Sequence, residues 1–151
     1  MIKPKQVVID TNVCLDLFVF KDPRWEFLLR GLMDNSIVAV TRADCRQEWL
    51  AVLHYPHLPV DDESRPKVVE TFDSLIQCIA PERQNRLLPR CSDKDDQKFL
   101  EIALDAGVQT LITKDKALLK LGRKTRLSGY YNIETPEQFI VNMSKSDAVM
   151  N

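Results

Sequence analysis

Four carboxylates are spaced so that they could share one site for divalent-metal chemistry: Asp10, Glu48, Asp96 and Asp115. Asp10 directly follows the apolar run 7–9, and Asp115 lies just beyond a second apolar run at 110–113. Carboxylates packed within a few ångström raise one another's pKa unless a cation neutralises them. Hard oxygen ligands in a partly open site suit Mg²⁺ or Mn²⁺ rather than zinc or copper. Because one or two such ions polarise a phosphoryl oxygen and activate water, hydrolysis of a phosphodiester is the natural reaction.

Each of these acids also has a purely structural explanation. An Asp at the end of a strand can cap the helix that follows, which applies to Asp10 and to Asp115. Asp96 lies in the first turn of a predicted helix, where the helix dipole favours an acid. Glu48 lies beside the buried stripe of its helix and could be a partly covered surface acid. Asp44, four residues earlier on the same face, is the alternative candidate for the site. The joint placement of the four acids is therefore what favours a site.

The elements that would position these acids alternate between short apolar strands and amphipathic helices. Strands are predicted at 7–9, 37–40 and 110–113, with a last one within 129–133. Helices are predicted at 13–20, 23–34, 41–55 (with a capping box of Thr41 and Asp44), 61–79, 95–106, from 115 to about 121, and 136–143. This alternation predicts a mostly parallel sheet covered by helices on both faces. Right-handed crossovers then gather the ends of the strands, and the acids that follow them, at one edge.

The bulk composition indicates a soluble intracellular protein. The 151 residues fit one domain, placed at 1–143, with a frayed tail at 144–151. The sequence shows neither an apolar run long enough for a membrane span nor a signal peptide, so a cytoplasmic protein without membrane contact is expected. Its four cysteines are scattered singly and are predicted to be reduced thiols.

Two local clusters of cations interrupt a nearly neutral chain of net charge −1. The segment 114–126 carries six Lys and Arg residues against one acid, and Arg83, Arg86 and Arg90 form the second cluster. Such clusters can contact phosphates. A charge run is nevertheless more often a solvated face, so both explanations stay open.

The acids and the segments around them resemble PIN-domain ribonucleases. The opening segment Val8-Ile9-Asp10-Thr11-Asn12 is similar to the family's first signature, and the resemblance continues through Glu48, 93–104 and 111–115. The closing segment 133–139 is similar to a bacterial branch described as toxin components of toxin–antitoxin pairs, akin to VapC. The resemblance spans about residues 6–143, and the order and spacing of its motifs make it specific.

The resemblance implies a three-layer α/β/α sandwich, Rossmann-like, with a mostly parallel sheet of four to five strands. It also implies an endonuclease for single-stranded RNA that uses one or two Mg²⁺ or Mn²⁺ ions. Matched position by position, the catalytic residues and metal ligands are Asp10, Glu48, Asp96 and Asp115, with Asp93 as a further ligand. The supporting residues are Thr11, Asn12 and Thr113, and the residues expected to contact RNA phosphates are Lys114, Lys116, Lys120 and Arg123. One departure is Ala117, where relatives often carry another acid, so metal binding on that side is either weaker or rests on Asp115 alone.

Under the toxin interpretation, the expected partners are RNA, a cognate antitoxin and further copies of the chain, in a homodimer or a higher oligomer. The main alternative is a PIN-like module that binds nucleic acid or protein and has little or no nuclease activity. A phosphotransferase of the haloacid-dehalogenase type needs a second Asp where this chain has Asn12, and receiver domains need an acidic pair before the first helix. Dinucleotide binding is disfavoured because no Gly-rich loop is present. His54 and His57 lie beside prolines in poor geometry for zinc.

Overall fold

The computed structural model describes residues 3–150, with side chains for residues 3–145. Its strands are β1 (Lys5–Ile9), β2 (Ile37–Thr41), β3 (Ile76–Cys78), β4 (Thr110–Ile112) and β5 (Asn132–Glu134). Its helices are α1 (Thr11–Phe18), α2 (Glu26–Asp34), α3 (Ala43–Val52), α4 (Arg65–Leu75), α5 (Gln97–Asp105), α6 (Lys116–Leu119), α7 (Gly122–Leu127) and α8 (Pro136–Met150). Single 3-10 turns, Pro23–Trp25 and Lys94–Asp96, lead into α2 and α5.

The five strands form one parallel sheet in the order β3-β2-β1-β4-β5. The central strand β1 pairs with both β2 and β4, and Val7 lies opposite Ala39 on one side and Thr110 on the other. This position explains the continuous apolar run at 7–9, since a central parallel strand is covered on both faces. The predicted parallel sheet of four to five strands is confirmed, and all strand ends lie at one edge.

Helices cover both faces of the sheet and give three layers. Val7 and Ile9 belong to a buried cluster on one face, whereas Val8 belongs to a cluster on the other, because side chains alternate along a strand. The first cluster packs against α1, α2, α4 and α8, and the second packs against α5 and α6. The predicted α/β/α sandwich is thus confirmed. Within residues 3–150, no helix combines the length and the apolar character that a membrane crossing requires.

Several helix boundaries follow the predicted capping signals. The Asp22 carboxylate accepts a hydrogen bond from the backbone N–H of Arg24 at the turn before α2. Gly107 follows α5 with a φ of +66°, the left-handed conformation that favours glycine after a helix. At α8, the Thr135 hydroxyl accepts a hydrogen bond from the N–H of Gln138, and the Gln138 side chain accepts one from the N–H of Thr135. Cys14, Cys45 and Cys91 are buried, Cys78 is exposed, and all four are free thiols.

The predicted start and the predicted end of the helix before β3 are both wrong. The helix predicted over 61–79 is α4, which begins at Arg65 and ends at Leu75. The next three residues form β3, where the buried Ile76 pairs with Ala39. Because β-branched apolar residues fit both a buried helix face and a strand, the helical period alone could not separate them. The acids at 61–63 precede the helix, and Asp61 accepts the backbone N–H of Ser64.

Two further predictions of local structure are also wrong. Thr41 does not cap α3, because it is the last residue of β2, and the N-cap position is taken by Arg42 without a side-chain cap. Helix α8 runs to Met150, beyond the predicted end near Met143. In addition, the sequence does not predict helix α7. The domain at 1–143 and the frayed tail at 144–151 stay predictions, and Asn151 lies outside the described residues.

Candidate functional site

Asp10 lies at the centre of the sheet edge, directly after β1, and is only 3% exposed. It caps α1, since its Oδ1 accepts the backbone N–H of Thr11 at 2.7 Å. Its Oδ2 accepts the hydroxyl of Thr113 at 2.7 Å. Burial raises the pKa of Asp10 to about 6, the two hydrogen bonds lower it, and the charges of Glu48 and Asp115 raise it further. Capping therefore does not exclude a site, because the capping carboxylate is also part of the acidic edge.

Thr113 joins the ends of the two neighbouring strands. Its side chain is fully buried, donates to Asp10 and accepts the backbone N–H of Asp115 at 3.0 Å. The Asp115 carboxylate in turn accepts the N–H of Ala117 at 2.8 Å and caps α6. Hydrogen bonds from backbone N–H groups and with the Thr113 hydroxyl thus fix the positions of both strand-end acids.

A cluster of three acids, Asp93, Asp96 and Asp115, lies beside Asp10. One carboxylate oxygen from each of the three lies within 4.8 Å of the others. Asp93 caps the 3-10 turn before α5, accepting the N–H of Asp95 at 3.0 Å, and this turn places Asp96 at the sheet edge. Burial raises the pKa of Asp96 to about 8, and a hydrogen bond with Asp115 and the charges of Asp10, Asp93 and Asp115 act in the same direction. Burial and the neighbouring acids therefore both oppose the ionisation of Asp96.

Glu48 projects from α3, and both of its carboxylate oxygens are occupied. Oε2 accepts the hydroxyl of Thr11, and Oε1 accepts the ammonium of Lys98 at 2.9 Å. Lys98 also donates to the backbone carbonyl of Asp95 at 2.6 Å. Burial opposes the charge of Lys98, but the Glu48 carboxylate outweighs that effect and raises the pKa of the ammonium. Lys98 was missed in the sequence, where nothing shows that a residue of α5 meets one of α3.

The remaining predicted site residues lie in different surroundings. Asn12 is exposed in the first turn of α1. Lys114 forms an ion pair of 2.6 Å with the buried Asp16, which also accepts the indole N–H of Trp25. Lys114 therefore joins the end of β4 to α1. The other three predicted phosphate contacts, Lys116, Lys120 and Arg123, are exposed on or beside α6 and α7. The catalytic, supporting and RNA-binding roles assigned from the sequence stay predictions.

The chemistry of the three-acid cluster fits a hard divalent cation. Asp93, Asp96 and Asp115 offer oxygen donors alone, close enough together to bind one ion. Burial raises the pKa of Asp96, and the neighbouring carboxylates act in the same direction. A bound cation would favour the ionised form of Asp96 and reduce the repulsion among the acids. Mg²⁺ and Mn²⁺ match such a site, whereas zinc and copper favour nitrogen and sulfur ligands.

The chain is similar to a known protein family and to an archaeal protein. The family described as “PIN domain” matches residues 6–117 of the chain, which include all five acids of the site. The chain is also similar to a protein of Methanocaldococcus jannaschii named “Uncharacterized protein MJ1680”. The two are 29% identical over 147 residues, which cover 93% of this chain and 92% of the archaeal protein.

Proposed function

The chain belongs to the PIN domain family, and from this premise we propose that it is a metal-dependent endoribonuclease that hydrolyses phosphodiester bonds in single-stranded RNA. The observation that carries the proposal is the three-acid cluster of Asp93, Asp96 and Asp115 next to the buried Asp10. A structural role explains one buried acid at a time. It does not explain a group of carboxylates in which burial and the neighbouring acids both oppose the ionisation of Asp96.

The proposed division of labour follows from the contacts of each acid. Asp93, Asp96 and Asp115 would hold Mg²⁺ or Mn²⁺, as one or two ions together with Asp10. When bound, such an ion polarises a phosphoryl oxygen and makes water a stronger nucleophile. Thr113 and the N–H of Thr11 hold both oxygens of Asp10 in a fixed orientation. Thr11 and Lys98 do the same for Glu48.

The toxin assignment is a finer part of the proposal. It rests on the resemblance of residues 133–139 to the toxin branch, and it adds a cognate antitoxin, a cytoplasmic location and a homodimer or higher oligomer. A small open reading frame next to the gene, whose product co-purifies with this chain and blocks cleavage, would support it. The absence of any such neighbour would count against the toxin role and leave the nuclease proposal standing.

Cleavage of a mixed RNA pool by the purified protein tests the nuclease proposal. We expect cleavage with Mg²⁺ or Mn²⁺ and none with EDTA. Asp10→Asn and Asp96→Asn should each slow cleavage by at least about 100-fold, as expected when a group that stabilises charge in the transition state is lost. Asp95→Asn is the matched control, because Asp95 is an exposed neighbour of Asp96 outside the cluster.

Two outcomes would contradict the proposal in different ways. Cleavage that survives both EDTA and Asp10→Asn would show that the acids are not the catalytic groups. Binding of Mn²⁺ measured by calorimetry, without cleavage of any RNA in the pool, would favour the alternative of a binding module with little or no activity.

A further inference from the structure

We propose that residues 79–92, here called the basic loop, and the segment of α6 and α7 together form a binding surface for single-stranded RNA beside the acidic site. The inference rests on the proposed function, since it names the side of the site from which the substrate backbone approaches. It concerns two stretches of the chain, separated in sequence, that the fold brings together.

The basic loop carries cations that are not used to balance acids. Arg83, Arg86 and Arg90 are exposed, and within residues 3–145 none of the three forms an ion pair. They line a cavity of about 560 Å³ between the loop and α5. The two acids of this cavity, Glu101 and Asp105, lie 2.8 Å and 4.0 Å from Arg42. The three loop arginines therefore give the cavity an excess of positive charge.

Hydrogen bonds hold the basic loop in place on α5. The N–H of Gln84 donates to the Asp105 carboxylate at 2.9 Å. The Gln97 side chain accepts the N–H of Cys91 at 2.8 Å and donates to the carbonyl of Pro89 at 3.1 Å. Gln97 also lines the cavity and directly follows Asp96 in the chain. The cavity therefore runs along α5, whose preceding turn carries Asp96, and its arginines are presented from a fixed backbone.

The basic loop meets the second basic segment at one contact. The guanidinium of Arg86 lies 5.8 Å from the centre of the Tyr130 ring, just after α7. Leu88 and Tyr130 both pack on the buried cluster beneath α5 and α6. Each basic segment also adjoins an acid of the site, since Arg90 precedes Asp93 by three residues and Lys116 directly follows Asp115. Cations thus extend from the acidic cluster along two converging segments.

These features favour a single strand over a duplex. Separate arginines on a loop can each meet a phosphate, while unpaired bases stack on guanidinium groups and aromatic rings. Leu87, between the arginines, is 90% exposed and offers an apolar contact to a base that is not held in a duplex. A duplex keeps its bases stacked and would leave this apolar group unused.

The test is the salt dependence of binding to a fluorescently labelled oligouridine, in EDTA so that no cleavage occurs. The variant is Arg83→Gln combined with Arg86→Gln and Arg90→Gln. Each lost phosphate contact should reduce the slope of log affinity against log salt by ~0.7, so three reduce it by about 2. Over a fourfold rise in salt, the wild type should therefore lose roughly 20-fold more affinity than the variant.

The matched control is Lys21→Gln combined with Arg30→Gln and Lys67→Gln. These exposed cations lie by α1, α2 and α4, which cover the other face of the sheet. Circular dichroism checks that both triple variants are folded. An unchanged slope in the arginine variant, an equal loss in the control, or tighter binding of a duplex of the same length would overturn the inference.

The outcome is separable from that of the proposed function. If cleavage needs Asp10 while the arginine variant binds like the wild type, the RNA surface is wrong and the nuclease stands. If binding depends on the arginines but the wild type cleaves nothing with Mn²⁺, the nuclease is wrong and the RNA surface stands.

Discussion

Replacing Asp96 by Asn should stabilise the metal-free protein, and more strongly at pH 8 than at pH 5. An unfolded chain releases the proton of this residue near its ordinary pKa of 3.8, whereas in the folded protein the pKa of Asp96 is about 8. Between these values the folded state binds more protons than the unfolded state. The free energy of unfolding of the wild type therefore falls as the pH rises through this window.

The size of the effect follows from the width of the window. One proton corresponds to about 1.36 kcal/mol per pH unit, so the wild type should lose about 2 to 4 kcal/mol between pH 5 and pH 8 through this group. Asn does not titrate, so that loss should be absent in the variant. Its amide N–H can also donate to Asp115, which replaces the hydrogen bond that Asp96 makes only when it is protonated.

Urea denaturation in EDTA at several pH values between 5 and 8 measures this difference. Asp95→Asn is the control, and it should follow the wild-type curve at every pH. Mn²⁺ should reverse this order of stability. It should stabilise the folded wild type in proportion to how fully the ion occupies the site, and it should not stabilise Asp96→Asn. The raised pKa of Asp96 would be refuted by a variant that is less stable than the wild type at pH 8. It would also be refuted by a variant whose stability depends on pH as steeply as that of the wild type.

Three further substitutions test the contacts around the cluster. Thr113→Val leaves Asp10 without its hydroxyl donor in a buried position, and urea denaturation should show a loss of about 2 to 3 kcal/mol. Lys98→Met removes a positive charge beside the acidic site and frees an oxygen of Glu48, so Mn²⁺ should bind more tightly in calorimetry, whereas Lys98→Arg should bind it like the wild type; equal affinities of Lys98→Met and the wild type would refute this. Lys114→Gln breaks its partly exposed ion pair with Asp16, and urea denaturation should show a loss of about 1 kcal/mol of stability; an unchanged stability would refute this.

The sequence was sufficient where local patterns report local structure. The β-branched run at 7–9 is apolar at every position, which distinguishes a central parallel strand from an edge strand. Asp22 and Gly107 mark helix boundaries through their own backbone preferences. These signals, combined with right-handed crossovers, are enough to predict that Asp10 and Asp115 lie at one edge of the sheet.

The details that the sequence could not supply depend on contacts between distant residues. Lys98 and Glu48 are 50 residues apart, and no period or cap connects them. The local sequence likewise does not show whether Glu48 or Asp44 is the site acid of α3, because both lie on one face of the helix. In the structure Asp44 pairs with Arg42 at 2.7 Å, while Glu48 meets Thr11 and Lys98. Helix α7 and strand β3 are not predicted for a similar reason. Helix α7 packs on β5 and strand β3 pairs with β2, and these contacts are not visible in the local sequence.

The strand order β3-β2-β1-β4-β5 has a consequence for folding kinetics. Strand β1 can pair early with β2, about 30 residues away, but its other neighbour β4 is far along the chain, and the Asp10–Thr113 bond closes a separation of 103 residues. Bringing distant segments together costs more chain entropy, so folding is slower when the transition state contains such contacts. We therefore expect the sheet to grow from one side, with Asp10 joining the three-acid cluster in the last long-range step. Stopped-flow refolding should then be faster with Mn²⁺ than with EDTA in the wild type, and equally fast in both for Asp96→Asn.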